Sequence, residues 1–120
     1  MLAGALMAAA MFVAAPQAGA KCTITLKFTN NNADAIEVLG SESQSRVNGG
    51  LWSKMNFQNV TIQPGQTGST SWKTNMSCNG NALRDLRIKY RDLGDNVKYQ
   101  ENYNNHDFDD GDTVTIPLEH

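Results

Sequence analysis

The sequence predicts an all-β protein, an antiparallel β-sandwich of about seven strands closed by one disulfide. Three observations carry that expectation. Apolar residues recur with a period of two along most of the chain, as a half-buried strand requires. Clusters of Gly, Pro, Asn and Asp separate the alternating runs, as turns do. No segment after residue 20 sustains a helical period.

The strands follow in order. In "CTITLKFT", Ile24, Leu26 and Phe28 alternate with Thr23, Thr25, Lys27 and Thr29. "NNNADA" turns the chain into "AIEVL", with Ile36 and Val38 inward. Residues 40–56 are polar, with Gly49-Gly50 and one apolar pair, Leu51-Trp52, and read as a long connection or an edge. "FQNVTI" is a strand, "QPGQTG" a Pro-Gly turn and "STSWKTNM" another strand, its Trp72 a core residue. "SCNGNALRD" reads as a loop. "LRIKYRDL" then sets Leu86, Ile88 and Tyr90 inward against Arg87, Lys89 and Arg91. "GDN" leads into "VKYQENY", with Val97 and Tyr99 inward, and "TVTIPL" closes the domain on Val114 and Ile116.

The ends differ from this body. Residues 1–20 hold no charged side chain, and the apolar run from Leu2 to Ala15 ends at Pro16. That run is shorter than the roughly twenty residues a bilayer-spanning helix needs. With Ala18-Gly19-Ala20 as a cleavage site it reads as a signal peptide, and its alanine-rich character as bacterial. Lys21 before Cys22 argues against a lipoprotein anchor. "LEH" at 118–120 reads as a purification-tag remnant, which leaves residues 21–117 as the folded domain and His106 as its histidine.

Export makes the cysteine count informative. Two cysteines behind a signal peptide, Cys22 and Cys78, read as one disulfide in an oxidising compartment. Closing a loop of that length stabilises a fold by roughly 4 kcal/mol in the chain-entropy model. The expected location is therefore secreted or periplasmic. Charge narrows the partners. Ten basic residues face twelve acidic ones, a net charge of −2. That balance argues against nucleic acid, which is bound by neutralising phosphates.

The most charged stretch is "HDFDDGDTVTI", residues 106–116, with Asp107, Asp109, Asp110 and Asp112. An EF-hand loop needs oxygen ligands at its first, third and fifth positions, Gly at the sixth and Glu at the twelfth. Starting at Asp107 puts Gly111 fifth; starting at His106 puts Phe108 third; neither places Glu twelfth. A less regular calcium site on these four aspartates is a minor alternative, and no other metal and no cofactor is expected. The Asp-Gly pair running into "DTVTI" reads as the turn that launches the last strand. "IQPGQT" at 62–67 echoes its form, an apolar residue, a glycine and a threonine leading into a strand, without a carboxylate.

No Gly-x-Ser-x-Gly elbow is present, and one histidine cannot be matched to a serine and an aspartate from sequence. The chain is therefore expected to bind rather than catalyse. Candidate ligand-binding residues are Trp52 and Tyr103, as aromatics on loops, and Arg87, Lys89 and Arg91, as a basic ladder on one strand face. The ligand is expected to be a membrane lipid, a glycan or a protein. Two other readings stand beside this one. One is a small hydrolase using the carboxylates of the 106–112 loop; the other is an envelope inhibitor or structural protein.

The order "ITLKFTNNNADAIEVL", "GGLW", "VTIQPGQTGSTSW" and "LRIKY" resembles small secreted β-sandwiches of the aegerolysin and actinoporin kind. The shared features are a strand ending in Asn, a Gly-Trp segment, an Ile-x-Pro-Gly turn and a late strand ending in Tyr. The resemblance implies a two-sheet fold and binding to membrane lipids. It carries no specific ligand residue onto this chain.

Overall fold

The computed structural model describes residues 21–77 and 82–120. The expected signal segment 1–20 and Cys78 lie outside the described residues. Among the described residues there are nine strands: β1 (Lys21–Asn30), β2 (Ile36–Val38), β3 (Gln44–Val47), β4 (Ser53–Lys54), β5 (Val60–Ile62), β6 (Thr67–Ser77), β7 (Arg84–Asp92), β8 (Val97–His106) and β9 (Thr113–Leu118). No helix occurs among the described residues, so the all-β expectation holds.

The strands form two sheets. One has three strands in the order β6-β1-β9. The other has six, built around β7. Strand β8 pairs with one edge of β7 along most of its length. The other edge is shared: β3 takes Arg84–Arg87 and β2 takes Tyr90–Asp92. Beyond them lie β4 and β5.

One core joins the sheets in a sandwich-like arrangement. Ile24, Leu26, Phe28, Trp72 and Ile116 come from the smaller sheet; Ile36, Val38, Leu86, Ile88 and Tyr90 come from the larger. These are the inward positions of the period-two pattern, because alternate side chains leave a strand on opposite faces. Each such side chain contributes roughly 1.5–3 kcal/mol when fully buried.

One expectation about the strands needs correction, and another is decided between its two alternatives. The polar stretch 40–56 reads as a connection or an edge, and it is an edge: β3 and β4 lie in it, with β4 outermost in the larger sheet. Their residues show no apolar alternation, because Ser45 rather than a hydrophobe fills the inward position beside Leu86. The sheets are also not purely antiparallel. β9 runs parallel to β1, with Leu26 opposite Val114 and Phe28 opposite Ile116. The 107–112 turn carries the chain from β8, in the larger sheet, across to the smaller one. The direction of arrival fixes the parallel pairing, and no residue pattern announces it.

The two long sides of this two-sheet arrangement differ. On one side β5 lies beside β6, and Gly68 permits the approach: a Cβ there would sit 2.8 Å from Val60 Cγ1 and 2.7 Å from Ile62 Cγ1. On the other side, among the described residues, β8 and β9 each pair with a single neighbour. There the smaller sheet does not cover β8. Val97, expected inward, is 46% exposed for that reason, and Tyr99 and Tyr103 are only half-buried.

Packing continues past residue 117. Leu118 is fully buried and pairs with Asn30. Beyond it the His120 ring stacks on Tyr99 with centroids 3.6 Å apart. Its Nε2 lies 2.6 Å from Asp92 Oδ2.

Cys22 is buried, and its N–H donates to Thr74 Oγ1 at 3.0 Å.

Candidate functional site

The outer face of the larger sheet gathers most of the expected ligand residues. Leu86, Ile88 and Tyr90 of β7 point into the core, so Arg87, Lys89 and Arg91 must point out. Register adds their neighbours. Arg87 lies between Gln44 of β3 and Asn102 of β8, Lys89 is opposite Gln100, and Arg91 lies between Glu37 and Lys98.

Trp52 lies on this same face. Two guanidinium groups lie against its ring: Arg87 Cζ is 3.8 Å from the ring centroid and Arg46 Cζ is 4.6 Å away. Such contacts are each worth roughly 0.5–1 kcal/mol at exposed sites. They also hold a large amphipathic side chain against the sheet. Its neighbour Leu51 is 90% exposed.

The local sequence explains this placement. "VNGG" makes a tight turn in which Asn48 and Gly49 both have positive φ, at 50° and 73°. Asn and Gly are the residues that tolerate this conformation. Gly50 N–H closes the turn on the Val47 carbonyl at 2.9 Å. The turn is pinned to the start of β7 by two bonds: Asn48 N–H donates to the Leu83 carbonyl at 2.8 Å, and Leu83 N–H to Asn48 Oδ1 at 2.9 Å. Leu51 and Trp52 are thus presented from an anchored segment.

Charge on the face is partly committed. Arg46 Nε donates to Asp85 Oδ2 at 2.8 Å, and Asp85 Oδ1 accepts from Asn105 N–H at 2.9 Å. The Arg46 bond, then the Asn105 bond, hold the Asp85 carboxyl below the usual carboxylate range. Lys98 Nζ reaches both oxygens of Glu42, at 2.9 and 3.0 Å. The Lys98 bond lowers the Glu42 carboxyl against the opposing cost of burial. Among the described residues, Arg87, Lys89 and Arg91 are in no such ion pair. Arg91 Nη1 does donate to Asn96 Oδ1 at 3.2 Å, a neutral partner that leaves its charge in place.

Tyr103 does not join this group. It is a strand residue, not a loop residue, because β8 runs to His106. It is opposite Leu86 and therefore on the inner face, where it stacks on His106 with centroids 3.7 Å apart. The sheet separates it from Trp52.

The acidic loop acts as a turn. Asp112 N–H donates to the Asp109 carbonyl at 3.0 Å, and Gly111 has φ of 90°. Asp112 Oδ2 accepts from Asp109 N–H, and Asp110 Oδ1 from Thr23 N–H, each at 2.8 Å. Gly111 N–H reaches the Thr23 carbonyl at 2.9 Å. Two of the four carboxylates thus cap backbone donors: Asp112 closes the turn on itself and Asp110 ties it to β1. Among the described residues, the ligand atoms that converge lie elsewhere: Asp92, Asp95 and His120 offer atoms within 4.8 Å of one another. Asp92 and His120 already bond to each other, and both aspartates bond to their neighbours. Asp92 Oδ1 accepts from Gly94 N–H at 2.8 Å, and Asp95 Oδ2 accepts from Tyr99 Oη–H at 2.6 Å.

Sequence reasoning missed Arg46, Leu51 and Arg84. Arg46 and Leu51 flank Asn48-Gly49, a hairpin signal that could have placed them beside Trp52. Arg84 is fully buried with its guanidinium 5.6 Å from the Trp72 ring centroid, and burial lowers its pKa. No pattern in "NALRD" marks it as a core residue.

Neither the known protein-family models nor the curated proteins offer a match to this chain.

Proposed function

We propose that this chain is a secreted or periplasmic, non-enzymatic β-sandwich module that binds an anionic lipid surface through the outer face of its larger sheet. The observation that carries the reading is Trp52 in contact with both Arg46 and Arg87 beside the exposed Leu51. An exposed leucine gains by entering the acyl boundary, and a tryptophan prefers the headgroup level. Cations close to an anionic surface contribute about 1 kcal/mol each. Arg87, Lys89 and Arg91 supply three of them on one strand.

A bridge between Cys22 and Cys78 belongs to the same proposal, as the staple of an exported domain. Intact-mass measurement before and after reduction tests it: a gain of about two hydrogens supports the bridge, and an unchanged mass removes it.

Vesicle co-sedimentation tests the binding reading. Vesicles rich in phosphatidylglycerol should retain the protein and vesicles of phosphatidylcholine should not. Retention should fall with salt, because exposed charges are screened within about 8–10 Å. Arg87→Gln combined with Lys89→Gln should abolish retention. Equal retention of this double variant would remove the face as the site. Retention by a glycan array with none by vesicles would replace lipid with sugar as the ligand.

A further inference from the structure

We propose that a second copy of this chain pairs edge to edge with β8, joining two six-stranded sheets into one continuous sheet about a twofold axis through Gln100. Among the described residues β8 pairs with β7 alone. It therefore presents ten residues, Val97–His106, with one row of backbone donors and acceptors unsatisfied by any strand. The competing edges are poorer templates. β4 and β5 have two and three residues. β9 carries Pro117, which lacks an N–H, and β6 lies against β5 on the closed side.

Charge selects the register. Two antiparallel copies of one strand must meet about a central residue. Centring on Glu101 would set two carboxylates directly opposite, which is destabilising. Centring on Asn102 would set Tyr99 against Asn105, whose positive φ of 61° marks the irregular end of the strand. Centring on Gln100 avoids both. It sets Val97 against Tyr103 and Tyr99 against Glu101 on the inner face, and Lys98 against Asn102 on the outer face. The 46% exposed Val97 gains an aromatic partner in each copy. Lys98, already paired with Glu42, brings no uncompensated charge to the seam.

The geometry has a consequence for binding. An antiparallel strand pair has its twofold axis perpendicular to the sheet, so opposite side chains leave on the same side. Both copies would therefore turn the Trp52 and Arg87 face the same way, giving a bivalent surface. The pairing itself does not depend on what that surface binds.

Cysteine cross-linking of the full chain in solution, without vesicles, provides the test. Gln100→Cys sits at the axis on an exposed position and should form a disulfide-linked dimer under mild oxidation. Its rate should exceed that of Lys27→Cys, on the outer face of the other sheet, by at least about tenfold at equal concentration. Glu101→Cys should behave like Lys27→Cys. Sedimentation equilibrium of the unmodified protein should show a dimer fraction that rises with concentration. A monomer at every concentration overturns the pairing, and faster cross-linking at Glu101→Cys than at Gln100→Cys overturns the register. Either result leaves the vesicle reading to stand or fall by its own assay.

Discussion

The guanidinium of Arg87 lies over the ring of Trp52, its Cζ 3.8 Å from the ring centroid. This contact joins two residues from different parts of the chain into one surface feature. Arg87→Lys keeps the charge but loses the planar group that stacks. The expected result is weaker binding to phosphatidylglycerol vesicles by about three- to tenfold, from roughly 1 kcal/mol of lost stacking and order. Arg87→Ala should lose more, because the charge goes too. Trp52 fluorescence should shift to the red in both, while the buried Trp72 stays as it is. Titration against vesicles, with emission recorded in each variant, checks both expectations.

Leu51 provides a separate handle on the same face. At 90% exposure its replacement costs the fold little. Leu51→Ser should leave thermal stability within about 0.5 kcal/mol of the parent. It should weaken vesicle binding by about tenfold, since a buried leucine side chain is worth roughly 1.5–3 kcal/mol. Binding of soluble glycerol phosphate should not change. A variant that binds vesicles as well as the parent would limit the site to its cations.

The closed side of the sandwich should be intolerant of a single methyl group. Gly68 is opposite Phe28, and a Cβ there would approach both Val60 and Ile62 closer than side chains pack. Gly68→Ala should destabilise the protein by about 1–3 kcal/mol through overpacking. Gly111→Ala is the contrast. It meets open space, but its positive φ strains any L side chain, at a cost on the order of 1 kcal/mol. Urea unfolding of the two variants separates a packing penalty from a backbone one.

How much of this was legible in the sequence depends on what each feature rests on. The inward set of β1 and β7 was readable because period two and burial coincide: Ile24, Leu26, Phe28, Leu86, Ile88 and Tyr90 are all buried. The basic ladder was readable for the same reason, as the complement of that set. β3 and β4 were readable only as an edge without bounds, because β3 takes its pairing from β7 and β4 from β3, and their own residues are polar. The fate of the two aromatic candidates turned on context. Trp52 reached the basic face because an Asn-Gly turn brings it back over β3. Tyr103 went to the other face because it continues the inward phase of Val97 and Tyr99 along β8. The acidic loop was legible as a turn, since Asp-Gly geometry depends on local chemistry alone. The parallel β1–β9 pair was beyond reach, because the crossing direction is a property of the whole chain.

Asp85 should make the fold sensitive to acid. Its carboxyl is held low first by the Arg46 bond and then by the Asn105 N–H. A carboxyl lowered in the fold stabilises it fully above the unfolded value near about 4. That contribution disappears as pH falls through the lowered folded value. Asp85→Asn should therefore cost on the order of 1 kcal/mol at neutral pH, as expected for a partly exposed pair. Near about pH 2 the variant and the parent should unfold alike. Parallel thermal melts across that range check the sign, and a constant difference would show that the charge of Asp85 is not what stabilises the fold.

Tyr99 should titrate apart from a free phenol. Its hydroxyl donates to Asp95 Oδ2 at 2.6 Å, and that bond, then desolvation, push its pKa up to about 12. Tyr90 moves in the same direction, chiefly through burial. A phenol raised in the fold stabilises it fully below the unfolded value near about 10. The contribution is lost as pH rises through the folded value. The ultraviolet absorbance of tyrosinate should accordingly rise in more than one step. Tyr99→Phe should remove the step near about 12 and leave the earlier part of the curve intact. Asp95→Asn should move that step to lower pH while keeping its amplitude, because the ring stays and the carboxylate that holds its proton is gone. A late step that persists in both variants would assign it to Tyr90 and leave the Tyr99 to Asp95 bond without a role in the titration.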